Sequence, residues 1–157
     1  MNGDILIVDD EPEMLSLLQT DLELRGFAVT TAATADDALE LLRDRAFDAV
    51  LTDIFMPGIN GIEFCDRLTA NNPDVPAIVM TAFGSMETAV EALRVGAFDF
   101  VTKPLDSELV VAALRRAVEH SQLARRVRLL SHPVDADGEF EDDDGQNDVA
   151  NDPKPAT

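Results

Sequence analysis

Ile5-Leu6-Ile7-Val8-Asp9-Asp10 is four apolar residues running straight into two acids, and the same shape returns three times along the chain. Ala49-Val50-Leu51-Thr52 runs into Asp53, Ala77-Ile78-Val79-Met80 into Thr81, and Phe98-Asp99-Phe100-Val101-Thr102 into Lys103-Pro104. Short apolar runs of this kind read as strands. Helix-like segments separate these runs, so the strands should lie parallel, with all their C-terminal ends along one edge. Ligand crevices form at that edge in open α/β sheets. Three carboxylates, a hydroxyl and an ammonium would then meet in one pocket, a set suited to a divalent cation and a phosphoryl group.

The segments between the runs carry helical spacing. Pro12–Arg25 places Met14, Leu15, Leu17, Leu18, Leu22 and Leu24 on a broad apolar stripe, with Pro12 suited to the first turn and Gly26 to the stop. Phe27–Ala32 reads as a second strand. A helix capped by Thr34 or Asp36 follows to about Asp44, with Ala38, Leu39, Leu41 and Leu42 as its buried face. Ile54–Gly61 is a loop by its Pro and Gly content. Further helices are expected over about 62–70 and 87–95. The last begins near Asp106 and continues to about Leu130, with Leu109, Val110, Ala113, Leu114 and Ala117 inward. Its second half carries a separate stripe (Leu123, Val127, Leu130) that suits a dimerising helix, but Arg116, His120 and Ser121 interrupt any heptad.

Charge is distributed unevenly. The 157 residues carry a net charge of -19, from 31 acidic and 12 basic residues. Nine of the acids and only Lys154 of the bases fall in residues 131–157, which leaves 22 acids against 11 bases in residues 1–130. Two acidic parts argue against direct binding to nucleic acid or anionic membrane. The tail is expected to be disordered, because Asp, Asn, Pro and Gly bury too little apolar surface to offset ordering entropy. The chain divides on this reading into a domain over 1–122, a helical extension over 123–130 and the tail. Cys65 is the sole cysteine, so no disulfide framework forms within one chain. The longest apolar run, Leu109–Leu114, is far too short to cross a bilayer, and a cytoplasmic protein is expected.

Each candidate group also has a plain structural reading. One acid at a strand end often just caps the following helix, but Asp9, Asp10 and Asp53 together repel one another unless a cation neutralises them. A hard ion such as Mg²⁺ takes oxygen ligands and needs only one or two carboxylates plus a carbonyl. Lys103 is the one lysine of residues 1–130. It is either a surface residue at a turn or a pocket cation, and a cis bond to Pro104 would aim it inward. Thr81 is either a strand residue or a donor to a phosphoryl oxygen.

The ordered motifs Ile5–Pro12 (ILIVDDEP), Leu51–Gly61 (LTDIFMPGING), Val79–Phe83 (VMTAF) and Gly96–Leu105 (GAFDFVTKPL) resemble the receiver domain of bacterial two-component response regulators. The resemblance covers residues 3–122, and Gly84–Phe100 further resembles receivers of the enhancer-binding regulator class. It implies a flavodoxin-like, doubly wound parallel sheet of five strands in the order 2-1-3-4-5, with helices on both faces. It also implies that Asp53 is the phosphoacceptor, taking its phosphoryl group from a partner histidine kinase. Asp10, Asp53 and the backbone carbonyl of Phe55 would ligate Mg²⁺ (or Mn²⁺), with Asp9 acting mainly through a bound water. Thr81 and Lys103 would bind phosphoryl oxygens. Phe100 would change rotamer with Thr81, altering the face of the fourth helix, fifth strand and fifth helix toward an output partner or a second copy of the chain. Phe55 and Phe83 would flank the path of the hydrolytic water, and two bulky apolar groups there imply slow self-dephosphorylation.

Two rival readings are disfavoured by particular residues. An aspartyl phosphohydrolase needs a second acid two residues after its nucleophile, where this chain has Phe55. A pseudo-receiver would not need Asp10, Asp53, Thr81 and Lys103 all intact. No external turnover is therefore expected. The segment after the motif set is the acidic tail, so the chain reads either as a stand-alone receiver, including a phosphotransfer intermediate serving another histidine protein, or as a piece of a longer regulator.

Overall fold

Strand and helix alternate along the computed structural model, which describes residues 3–82 and 85–131. The elements are β1 (Gly3–Val8), α1 (Pro12–Leu24), β2 (Phe27–Ala32), α2 (Ala35–Asp44), β3 (Ala49–Asp53), α3 (Gly61–Asn71), β4 (Ala77–Thr81), α4 (Met86–Arg94), β5 (Asp99–Thr102) and α5 (Ser107–Ser131). All strand pairs are parallel and the sheet order is β2-β1-β3-β4-β5, as expected. The chain falls into two units, Met1–Leu123 and Ala124–Thr157. The first holds the sheet; the described part of the second is the last turns of α5. The acidic tail beyond Ser131, expected to be disordered, lies outside the described residues.

Side-chain alternation along the strands builds two cores. Leu6 and Val8 of β1 join Val50 and Val79 beneath Ala38, Leu42, Phe64, Leu68 and Ala92 of α2, α3 and α4. Ile5 and Ile7 face the other way, with Leu51, Ile78 and Met80, beneath Leu18 and Leu22 of α1 and Val110, Leu114 and Ala117 of α5. Burying each such Leu, Ile or Phe contributes about 1.5–3 kcal/mol. β3 and β4 are buried at every residue, and so is β1 except at Asp4, whereas the edge strands β2 and β5 are largely half-exposed.

Local chemistry sets the helix ends. Pro12 opens α1, and Gly26 (φ 96°) takes the left-handed conformation that lets the chain leave it. Thr34, not Asp36, caps α2 by accepting from Asp37 N–H at 3.1 Å, and Asn60 caps α3 by accepting from Glu63 N–H at 2.9 Å. Asp106 Oδ1 accepts from Glu108 N–H at 2.9 Å at the start of α5. The Lys103–Pro104 peptide is cis. The α1 stripe is narrower than its sequence suggests: Leu18 and Leu22 are buried, but Leu17 and Leu24 are 67% and 82% exposed. Leu109, expected inward on α5, is likewise exposed.

Candidate functional site

Sheet register brings the polar groups together. Val8 pairs with Thr52, so Asp9 and Asp53 leave adjacent strands side by side. Asp53 pairs with Met80, and Thr81 lies one residue beyond. Thr81 pairs with Thr102, and Lys103 follows. The carboxylates of Asp9, Asp10 and Asp53 each offer an oxygen within 4.8 Å of the others. Lys103 Nζ lies 3.3 Å from Asp53 Oδ1.

Asp9 is fully buried and divides its oxygens between two tasks. Oδ1 accepts from Glu11 N–H at 2.9 Å, capping the entry to α1. Oδ2 is buried with no hydrogen-bond partner. Burial pushes the Asp9 carboxyl above its ordinary range; the Glu11 N–H opposes this, and the neighbouring Asp53 adds to it. A bare buried oxygen beside two further carboxylates fits a hard divalent cation, and Asp9, Asp10 and Asp53 are the residues that would hold it. Cap and cluster therefore coexist on one side chain.

Asp53 is held from several directions. Its Oδ1 accepts from Ile54 N–H at 2.9 Å, and its backbone carbonyl accepts from the buried Thr52 hydroxyl at 2.9 Å. Gly61, the first residue of α3, donates its N–H to Ile54 O at 2.7 Å. A Cβ at Gly61 would stand 2.3 Å from the Asp53 carbonyl oxygen and 2.7 Å from Ile54 Cα, so only glycine fits this approach. The sequence reading passed over Thr52 and Gly61, taking one as a strand residue and the other as a loop glycine. A hydroxyl next to the central acid, and a glycine opening a capped helix, were the available signals.

Thr81 is 1% exposed, and its hydroxyl lies 3.5 Å from Val101 O, at the limit of a hydrogen bond. Its carbonyl accepts from Lys103 N–H at 2.7 Å. Phe100 is half-buried, packed on the core beneath α2, α3 and α4. It also lines a groove of about 310 Å³ between β5 and α5 that includes Leu109 and Arg116. Phe55 is 64% exposed just after Asp53. Phe83 lies outside the described residues.

A family model for the response regulator receiver domain matches residues 5–115. The chain belongs to the response regulator receiver family. Over 122 residues the receiver is 43% identical to the transcriptional regulatory protein ZraR of Escherichia coli O157:H7, a match covering 78% of this chain and 28% of that protein. It is 39% identical over 132 residues to the nitrogen assimilation regulatory protein NtrX of Azorhizobium caulinodans, covering 83% of this chain and 29% of the relative. The crystal structure of NtrX from Brucella abortus in complex with ATP superposes with a TM-score of 0.77 at 37% identity, covering 83% of this chain and 30% of that one. A response regulator receiver domain protein from Clostridium thermocellum gives a TM-score of 0.74 at 27% identity, covering 78% of this chain and 98% of that one. The chain thus spans under a third of the curated relatives it matches. As a receiver it is a regulatory module of two-component signalling. Among the described residues, no helix is long and apolar enough to cross a membrane.

Proposed function

We propose that Asp53 is the phosphoacceptor of this receiver, charged by a phosphohistidine of a sensor kinase. The observation that carries this reading is the grouping of Asp9, Asp10 and Asp53 around one point, with the Lys103 ammonium 3.3 Å from Asp53. A carboxylate oxygen of Asp53 attacks the phosphorus, the P–N bond to the donor imidazole breaks, and an aspartyl phosphate forms. Phosphoryl transfer asks the protein mainly for positioning and charge neutralisation. Ile54 N–H and Thr52 fix the carboxylate and its peptide, and Lys103 moves from pairing with Asp53 to pairing with a phosphoryl oxygen. Asp10, Asp53 and the Phe55 carbonyl would hold Mg²⁺, with Asp9 acting mainly through a bound water, and the ion would supply further neutralisation of the phosphoryl oxygens.

Thr81 then reads the new group. Its hydroxyl is weakly held by Val101 O, so turning toward a phosphoryl oxygen costs little and gains a charge-assisted bond. Phe100 follows, and the surface of α4, β5 and α5 changes for an output domain, a partner protein or a second copy of the chain. Incubation with Mg²⁺ and phosphoramidate, read by intact mass, tests the assignment. One phosphoryl adduct is expected, absent in Asp53→Asn; an unmodified wild type would overturn it, and sustained phosphate release would indicate an enzyme instead. The exposed Phe55 beside Asp53 shields the acyl phosphate from water. The adduct on Phe55→Asn should therefore decay faster than on the wild type.

A further inference from the structure

The β5–α5 connection carries Lys103 and is fastened at both ends. Upstream, Lys103 N–H donates to Thr81 O at 2.7 Å. Downstream, the hydroxyl of Ser107, the first residue of α5, donates to Asp21 Oδ2 of α1, a residue 86 positions earlier. The Asp21 carboxylate is preset for this, since Arg25 Nε on the next turn lies 3.3 Å from its other oxygen. Ser107 first, then Arg25, outweigh burial and hold the Asp21 carboxyl below its ordinary range, as expected of an acceptor kept ionised.

Packing does only part of this job: Leu18 and Val110 are buried in the core that α1 and α5 share, but the groove they line is open. Beside the Asp21–Ser107 bond, α1 and α5 are separated by an apolar groove of about 440 Å³ lined by Met14, Leu17, Leu18, Leu105 and Val110, with Lys103 and Pro104 on its rim. Leu17 is exposed there rather than filling it. Where packing is incomplete, a directional bond adds to what sets the spacing of two helices. The Lys103–Asp53 pair is itself partly exposed, with 29% of the lysine side chain accessible. Such a pair holds a flexible ammonium weakly unless the backbone beneath it is fixed.

We propose that Ser107 and Asp21 are positioning residues, a clamp between α5 and α1 that fixes the connection carrying Lys103 and so holds its ammonium at Asp53. The proposal rests on the phosphoacceptor reading for its effect on phosphoryl transfer, but the placement of Lys103 does not depend on that reading.

Lys103 and Lys154 are the only two lysines of the chain, so lysine-selective isotope labelling of the full-length protein gives each side chain its own resonance. In Ser107→Ala and in Asp21→Ala the Lys103 side-chain signal should move away from its wild-type position, and in Ser107→Thr it should return. Phosphorylation by phosphoramidate with Mg²⁺ should slow by about tenfold in each single variant, short of the roughly hundredfold that a misplacement near 1 Å brings. The double variant should be no slower than either single one, because both cut the same bond. Asp21→Glu keeps the charge but misplaces the oxygen, and serves if an alanine variant does not fold. A Lys103 signal unmoved in the variants, or losses that multiply in the double variant, would overturn the clamp. A Lys103 signal that moves in the variants, with no adduct on Asp53 of the wild type, would instead overturn the phosphoacceptor reading and leave the clamp standing.

Discussion

At position 61 a methyl group has nowhere to go, because the atoms it meets are backbone: the Asp53 carbonyl oxygen and Ile54 Cα. Relief requires α3 to back away from the peptide that orients Asp53. Gly61→Ala is expected to lose about 1–3 kcal/mol in urea unfolding, the usual cost of overpacking, and to slow phosphorylation of Asp53 as well. A variant as stable as wild type would show that α3 tolerates the shift. Cys65 offers a pH test on the same helix. Burial pushes its thiol up to about 12 from an ordinary 9.0. The folded state then binds more protons than the unfolded state between those values, so stability is complete below pH 9 and falls as pH rises above it. Native protein at pH 8.5 should resist thiol alkylation until it unfolds, and its unfolding midpoint should drop between pH 9 and 11 relative to Cys65→Ala.

Elements were legible in proportion to how completely they are buried. β1, β3 and β4 announced themselves as apolar runs because both faces are covered, and the acids at their ends marked the edge where the site forms. Helix faces were legible as to direction but not width. Leu17 and Leu24 share the period of Leu18 and Leu22, yet α1 meets the sheet along a narrow line and leaves the groove toward α5 open. The clamp across that groove was not legible, because Asp21 and Ser107 lie on two helices, far apart in sequence and away from any strand end. Caps were legible as alternatives, and geometry chose Thr34 for α2. Thr34→Ala should lower stability by about 1 kcal/mol by urea denaturation, with Asp53 labelling unchanged because the bond it removes is to Asp37 N–H and not to a site residue. A larger loss, or lost labelling, would tie α2 to the site in a way the packing does not account for.

For the molecule as a whole, charge is a cost. A net charge of -19 repels itself, and three of those carboxylates are gathered at one point, two of them buried. Mg²⁺ should therefore stabilise far beyond its effect on ionic strength. At a hundredfold excess over its dissociation constant the gain is about 2.7 kcal/mol, seen as a higher thermal midpoint. Sodium chloride at matched ionic strength should give only the smaller gain of screening, and Asp10→Asn should lose most of the Mg²⁺ effect. Equal shifts from both salts would mean that the acidic cluster is not a cation site.

The pattern of strand burial has a consequence for how amide hydrogens exchange with solvent. Asp9, Asp53 and Thr81 hang from the three inner strands, whose amides should exchange only through global opening. Lys103 hangs from β5, an edge strand of four residues, half-exposed for most of its length and open to local release. The site thus has three walls that share the lifetime of the fold and one that opens on a shorter clock. Protection factors measured along β5 with and without the aspartyl phosphate would time that wall directly.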